Sequence, residues 1–273
     1  CKNPKIIQVS GFNGIYAIVY TRPSSGNQLY IKTVKIFNDG VINKIPIDTR
    51  VLDTNISASP DIIKIDIDTY SIVYSISAAN NGVLISLDIS LAGVISPVNK
   101  KLLFGDIMIE PEIIKIVDSF DKYVIVYNCI GDDGGLRTVK ITNAGTLSEI
   151  SYHVWYDDDD GGNPEIIHVH DDVYAIVYAG PILRQSCILK TIEILWNGDI
   201  TLSRTIPPLA GAIDQISIDF IANMTVRSPH ILPIDGPNDY YGISYSIDSP
   251  TANLWGKIVT VKIQDNGNIV SLS

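Results

Sequence analysis

The stretch PEIIHVHDDVYAIVYAG at residues 164–180, continued by KTIEILWNGDI at residues 190–200, decides the fold. It opens with a proline and two isoleucines after one intervening residue, continues with a Tyr-x-x-x-Tyr pair, and ends with a threonine seven positions before a glycine. Versions of this text recur five times along the 273 residues, at intervals of 51 to 65 residues. Self-similarity at a period of this length is typical of repeat architectures. The repeat starts are Pro4, Pro60, Pro111, Pro164 and Pro229.

Each repeat predicts four short strands, because its segments are rich in Ile, Val, Tyr and Thr and are separated by Gly, Asn, Asp and Pro. In the first copy we expect strands over Lys5–Ser10, Ile15–Thr21, Leu29–Phe37 and Val41–Asp48. The glycine that ends Asn38-Asp39-Gly40 supplies the positive φ of a tight hairpin between the last two strands.

Four antiparallel strands in each of five repeats predict an all-β fold, a five-bladed β-propeller with no helix longer than about two turns. We expect one domain over residues 1–273, each blade complete within its own repeat. Both faces of a blade are then covered, so the ten tyrosines of the Tyr-x-x-x-Tyr pairs are interpreted as packing residues. The expected repeats are 4–59, 60–110, 111–163, 164–228 and 229–273.

Composition excludes several classes of partner. The chain is 46% hydrophobic and 18% charged, which is globular, and its net charge of −10 disfavours nucleic acid and anionic membranes. No apolar stretch approaches the ~18 residues that span a bilayer, so membrane insertion is not expected. The hydrolase, metalloprotease and nucleotide-binding motifs Gly-x-Ser-x-Gly, His-Glu-x-x-His and Gly-x-x-x-x-Gly-Lys-Ser/Thr are absent from the sequence.

The repeat text resembles β-propeller repeats of an uncharacterised family of secreted or surface-anchored prokaryotic, particularly archaeal, proteins. This resemblance extends from Pro4 to about Ser271, implies an extracellular or cell-surface location, and carries over no catalytic residues. A chain that begins at Cys1 also matches a processed lipoprotein. The sequons at Asn55 and Asn223 would accept glycans in a secreted protein, which predicts a glycoprotein.

One polar position follows each repeat proline and is expected at the mouth of the propeller channel, on the face where the connections differ most between repeats. Three carboxylates there could bind a cation or a polar ligand, or could act as the acid and base of a glycosidase, or could simply line a wet surface. We expect the neighbouring cations to keep the carboxylates ionised, which favours ligand binding over proton donation. These residues are Lys5, Asp61, Glu112, Glu165 and His230.

The segment WYDDDDGG at residues 155–162 is the strongest local candidate for a ligand site. Aromatic faces stack on sugar rings, so Trp155 and Tyr156 are predicted to bind a glycan. Calcium prefers carboxylate oxygens, so the acidic run is the candidate metal site, although such a run is also typical of a solvated loop. The predicted calcium ligands are Asp157, Asp158, Asp159 and Asp160.

Histidines and cysteines leave alternatives open. His168 and His170 lie on one side of a strand, with His153 as a third candidate transition-metal ligand, yet other repeats place ordinary polar residues at the position of His168. Cys129 and Cys187 fall in equivalent connections of adjacent repeats, where a disulfide between them is geometrically possible.

Three functions compete. The leading prediction is a non-enzymatic adhesion or binding module for a glycan or a surface protein, with no catalytic residues. The alternative is a polysaccharide-active glycoside hydrolase that uses Asp61, Glu112 and Glu165. The third is an architectural envelope subunit that self-assembles through its blade edges.

Overall fold

The computed structural model describes residues 1–76, 81–129, 133–157, 161–180, 186–201, 212–220, 225–234, 239–249 and 252–272. Within these ranges the chain forms strands and a single 3₁₀ turn, Pro23–Ser25. Among the described residues, no helix has the length and the apolar character needed to cross a membrane.

Five antiparallel sheets of consecutive strands carry the fold, which is that of a five-bladed β-propeller. Sheet 1 contains β1 (Lys2–Ser10), β2 (Ile15–Arg22), β3 (Gln28–Lys35) and β4 (Asp48–Asp53); sheet 2 contains β5 (Ser57–Lys64), β6 (Thr69–Ile76), β7 (Asn81–Asp88) and β8 (Lys100–Ile107). Sheet 3 contains β9 (Ile109–Lys115), β10 (Lys122–Asn128), β11 (Gly134–Ile141) and β12 (Leu147–Glu149), with β13 (Val154–Asp157) also paired to β11. Sheet 4 contains β14 (Gly162–His170), β15 (Val173–Gly180), β16 (Ser186–Glu193) and β17 (Ala212–Phe220); sheet 5 contains β18 (Thr225–Pro233), β19 (Tyr240–Ser249), β20 (Ala252–Ile263) and β21 (Ile269–Leu272).

The chain divides into two compact units. Unit 1 comprises Cys1–Ile113 with Lys140–Glu149, and unit 2 comprises Ile114–Val139 with Ile150–Ser273. The single-domain boundaries expected from the repeats stay a prediction.

The tyrosine pairs pack as predicted. In unit 1, Tyr70 and Tyr74 are fully buried in one core cluster with Val19 and Ile31 of sheet 1, and in unit 2 the later pairs are buried in the same way. Eight of the ten repeat tyrosines are buried, whereas Tyr16 and Tyr20 are half-buried. The continuous apolar runs of β6 and β15 therefore reflect burial on both faces.

The constant spacing of hydroxyl and glycine residues also has a physical cause. A hydroxyl on the third strand of one repeat donates a hydrogen bond to the glycine carbonyl in the turn of the next repeat. The bonds are Thr33–Gly93 (2.5 Å) and Ser86–Gly145 (2.7 Å) in unit 1, and Thr138–Gly198 (2.7 Å) and Thr191–Gly267 (2.7 Å) in unit 2.

The predicted fourth strand of the first repeat is wrong. Beyond the hairpin glycine the chain makes one isolated bridge, Ile36 to Ile42, and regular pairing resumes only at β4, Asp48–Asp53. Pro46 supplies no N–H for a ladder, and the side chain of Asn43 accepts from the Ile45 N–H, which turns the chain locally.

Candidate functional site

Left-handed backbone precedes each candidate position, and in four of the five sheets it coincides with a β-bulge. The residue before every repeat proline adopts a left-handed φ between 44° and 50°, although none of the five is glycine. The pairing of the first two strands shifts register at this point in sheets 1, 2, 4 and 5. Such bulges redirect the following side chain and are common beside active sites. The five left-handed residues are Asn3, Ser59, Glu110, Asn163 and Ser228.

In unit 1 the bulges bring Lys5 and Asp61 together. The Lys5 ammonium lies 3.8 Å from the Asp61 carboxylate, and the Ile113 N–H donates to that carboxylate at 3.0 Å. Glu112 is half-buried and directly precedes Ile113, so the backbone of Glu112 lies next to the Asp61 carboxylate. Unit 1 therefore carries two acidic residues, Asp61 on β5 and Glu112 on β9, and this bond joins the two strands.

Burial dominates the ionisation of Asp61. The residue is 8% exposed, and this burial raises the pKa of its carboxyl above the ordinary value, against the opposing effects of Lys5 and the backbone N–H groups of Ile113 and Ile62. Burial is thus a larger influence on the pKa of Asp61 than Lys5 is, and the expectation that neighbouring cations keep the carboxylates ionised stays a prediction. The Lys5 side chain is half exposed and at ion-pair rather than hydrogen-bond distance, so water screens its charge.

In unit 2 the equivalent positions form a second pair. His230 Nδ1 and the Glu165 carboxylate are in direct contact, and the Ile231 N–H donates to the same carboxylate oxygen at 3.3 Å. The donor Ile231 directly follows His230, just as Ile113, which donates to Asp61, directly follows Glu112. A carboxylate hydrogen-bonded to the backbone of the next repeat is thus a recurring feature of the fold.

The aromatic and acidic segment is only partly a surface. Tyr156 is fully buried on β13, donates its hydroxyl hydrogen to the Gly161 carbonyl at 2.6 Å and packs edge-on against Tyr178. It cannot stack on a sugar, which corrects its predicted role. Trp155 is half-buried, with its ring 4.1 Å from that of His153, and its predicted glycan contact remains untested.

The predicted calcium ligand Asp157 has a structural contact, and its predicted metal role stays a prediction. Its carboxylate accepts the hydroxyl hydrogen of the buried Tyr178 at 2.7 Å, at the end of β13. Asp158, Asp159 and Asp160 lie outside the described residues. Among the residues that the structure describes, no three acidic, histidine or cysteine side chains form a group able to hold a metal.

Sequence reasoning missed the counterpart of Asp157 in unit 1. Asp53 ends β4 and accepts hydrogen bonds from the Tyr74 hydroxyl at 2.6 Å and the Lys101 ammonium at 2.8 Å. Burial acts to raise the pKa of Asp53, but these bonds and the Asn55 N–H outweigh it and hold the pKa below the usual value. The signal in the sequence is an aspartate five to seven residues before the next proline, at Asp53, Asp106 and Asp157.

The remaining predictions have plain outcomes. Cys129 and Cys187 are both buried and are not joined by a disulfide. The His168 ring bonds the Asp171 carbonyl oxygen at 2.9 Å, and His170 pairs with the Asp171 carboxylate at 3.1 Å, in an exposed turn. Asn55 is exposed, whereas Asn223 lies outside the described residues.

No family model and no curated protein sequence matches the chain. Its fold is similar to that of a GH43 β-1,3-galactosidase, with a TM-score of 0.53 and 10% identity over 94% of this chain and 55% of that one. The fold is also similar to that of a mutant of AofleA from Arthrobotrys oligospora, with a TM-score of 0.52 and 11% identity over 97% of this chain and 71% of that one. It is also similar to an engineered GH43 glycoside hydrolase with endo-xylanase and exo-arabinofuranosidase activities. The TM-score is 0.51 and the identity is 9%, over 100% of this chain and 52% of that one.

These neighbours confirm the β-propeller part of the resemblance. The chain spans about half the length of the two GH43 proteins, at 55% and 52%. The prediction of a non-enzymatic adhesion or assembly module without catalysis is corrected, since two of these neighbours are GH43 glycoside hydrolases. At 9 and 10% identity, their likeness to this chain shows the fold.

Proposed function

We propose that the chain is a glycoside hydrolase acting on a polysaccharide, with Asp61 as the proton donor. The observation that carries the proposal is the state of Asp61, a buried carboxyl whose pKa is raised mainly by burial. A glycosidase needs one carboxyl group that keeps its proton near neutrality and delivers it to the leaving oxygen of the glycosidic bond. The GH43 neighbours are the functional analogy, at the level of the fold.

Glu112 is proposed as the second carboxyl group. It is half-buried, whereas Asp61 is buried, so the two groups differ in solvation. The N–H of the next residue, Ile113, donates to the Asp61 carboxylate, which places the backbone of Glu112 next to Asp61. A solvated carboxylate stays ionised and can act as base or nucleophile, whereas the buried one donates the proton. Lys5, on the other side of Asp61, then sets how far its pKa rises.

The substrate class is proposed by analogy with the GH43 neighbours, whose activities are those of a β-1,3-galactosidase, an endo-xylanase and an exo-arabinofuranosidase. Arabinan, xylan and β-1,3-galactan are therefore the polymers to test. Polysaccharides are too large to enter cells, so a hydrolase that acts on them is in keeping with the extracellular location expected from the repeat text.

The test is release of reducing sugar from these three polymers by wild-type protein, Asp61→Asn and Glu112→Gln. Loss of acid or base catalysis should lower kcat by about 10² to 10⁴-fold in each variant. Asp66→Asn is the matched control, because Asp66 lies past the other end of β5 and its side chain only accepts from the Ile67 N–H. Wild-type turnover by Asp61→Asn, or no turnover of any of the three polymers by the wild-type protein, would contradict the proposal.

A further inference from the structure

A cysteine and a histidine meet in unit 2 at a place that the proposed hydrolase site does not use. The Cys129 sulfur lies 3.9 Å from Nε2 of His153, within hydrogen-bond reach for sulfur. Cys129 directly follows β10, and His153 directly precedes β13, so two separate strands of sheet 3 fix the pair. A thiol beside an imidazole is the core of a nucleophile–base arrangement.

A third group orients the imidazole. The Tyr127 hydroxyl lies 2.6 Å from Nδ1 of His153 and also accepts a hydrogen bond from Nε of Arg137 at 3.2 Å. Tyr127 and Arg137 are both buried, so the hydroxyl oxygen is held in place. When Nδ1 carries a hydrogen and donates it to Tyr127, Nε2 presents its lone pair to the thiol. Nucleophile, base and orienting group are the three members that activated nucleophiles share.

The local sequence is adapted to this close packing. A side chain on Gly135 would place its Cβ 2.7 Å from the Tyr127 ring and 2.9 Å from the Cys129 sulfur. The glycine therefore leaves the space in which the thiol and the tyrosine approach each other. On the other side, Trp155 packs edge-on against His153 at 4.1 Å and is half-buried, which gives the cluster an edge toward solvent.

The matching tyrosines in two other repeats contact carboxylates. Tyr74 and Tyr178 donate to the carboxylates of Asp53 and Asp157. Tyr127 has His153 as a ring and hydrogen-bond partner, so an ionisable base lies beside the tyrosine hydroxyl in this repeat.

We propose that Cys129 is a nucleophilic thiol, with His153 as its base and Tyr127 as the positioning residue, and that it forms covalent adducts with small electrophiles. In the reaction with iodoacetamide, the sulfur attacks the methylene carbon and forms a C–S bond. The C–I bond breaks, iodide leaves, and the thiol proton passes to Nε2 of His153. The imidazolium that forms keeps its Nδ1 hydrogen bonded to Tyr127.

The experiment measures iodoacetamide alkylation of the folded protein at pH 7, resolved by peptide mass spectrometry, in a Cys1→Ser background that removes the exposed thiol. Cys187 is the internal control, since it is a second buried cysteine in the same unit. Removal of the base in His153→Asn should slow alkylation of Cys129 by about 10²-fold. Tyr127→Phe, which keeps the ring, should slow it several-fold.

Two controls separate chemistry from misfolding. In urea, Cys129 should react at the same rate in the wild-type protein, His153→Asn and Tyr127→Phe, because no folded site remains. The rate at Cys187 should be unchanged in the Tyr127→Phe protein, and thermal unfolding should remain one cooperative transition, with a lower midpoint because the buried Arg137 loses its acceptor. Equal native rates at Cys129 in the wild-type and His153→Asn proteins, or a native Cys129 no more reactive than Cys187, would overturn the proposal.

Discussion

Asp53 and Asp61 lie in the same unit, and each is 8% exposed, yet the pKa of Asp53 is lowered and the pKa of Asp61 is raised. Asp53 receives a charged donor from Lys101, a hydroxyl from Tyr74 and the Asn55 N–H, all within 2.9 Å. Asp61 receives backbone N–H groups, and its nearest ammonium group is 3.8 Å away.

Burial raises the pKa of both groups, so the donors decide the outcome. Close donors, including a full charge at hydrogen-bond distance, stabilise the carboxylate of Asp53 more than burial destabilises it. At Asp61 burial is the larger effect. Structural hydrogen bonds therefore stabilise the carboxylate of Asp53, whereas the raised pKa of Asp61 is the direction that its proposed role as proton donor requires.

The largest expected difference between the two is in stability. Asp53→Asn removes the carboxylate that accepts hydrogen bonds from Lys101 and Tyr74, and we expect the free energy of unfolding to fall by about 2 kcal/mol. Asp61→Asn replaces a buried carboxyl group, proposed to keep its proton, with a neutral side chain of the same shape, so it should lower the free energy of unfolding by no more than about 0.5 kcal/mol. Urea unfolding at pH 7 measures both, and equal losses would break the comparison.

The contributions of Asp53 and Asp61 to stability should also depend on pH in opposite ways. The folded-state pKa of Asp53 is lowered, so its stabilisation is present above about pH 4 and is lost as pH falls through the folded pKa. The folded-state pKa of Asp61 is raised, so the stability that its protonated form provides is full below about pH 4 and is lost as pH rises through the folded pKa. Urea unfolding of each Asn variant against the wild-type protein, from pH 3 to pH 8, should give differences that trend in opposite directions. Parallel trends would contradict the assignment.

The smallest effect concerns the Lys5–Asp61 ion pair. The Lys5 side chain is half exposed, so Lys5→Met should change stability by less than about 0.5 kcal/mol. Because Lys5 lowers the pKa of Asp61, its removal should raise that pKa further. Carboxyl ¹³C chemical shifts followed by NMR would detect the change, and a fall in the pKa would refute the influence assigned to Lys5.

The sequence predicted the features that repetition makes visible. The tyrosine pairs and the hydroxyl–glycine spacing are the packing contacts and inter-repeat hydrogen bonds of the fold, so the strand order followed from them. The path after Gly40 did not follow, because its course depends on Pro46 and on a side-chain turn at Asn43. The burial of Tyr156 was also missed, since an aromatic residue next to an acidic run has the composition of a surface loop.

The candidate site was only half predictable. The residues after the prolines were identified, but the bulges that aim them depend on left-handed backbone at Ser59 and its counterparts, which is unusual for residues other than glycine. The ionisation of Asp61 could not be derived from neighbouring charges in the sequence, because it depends on burial and on the 3.8 Å distance to Lys5. The Cys129–His153 contact joins residues 24 apart and has no local motif.

The assignment of Asp61 as the proton donor is tested by a carboxyl ¹³C NMR titration of the wild-type protein between pH 2 and pH 9, with Asp53→Asn and Asp61→Asn used to assign the two resonances. We expect Asp61 to titrate above the ordinary aspartate value of about 3.9 and Asp53 to titrate below it. An Asp61 resonance that titrates at or below that value would contradict the assignment of Asp61 as the proton donor.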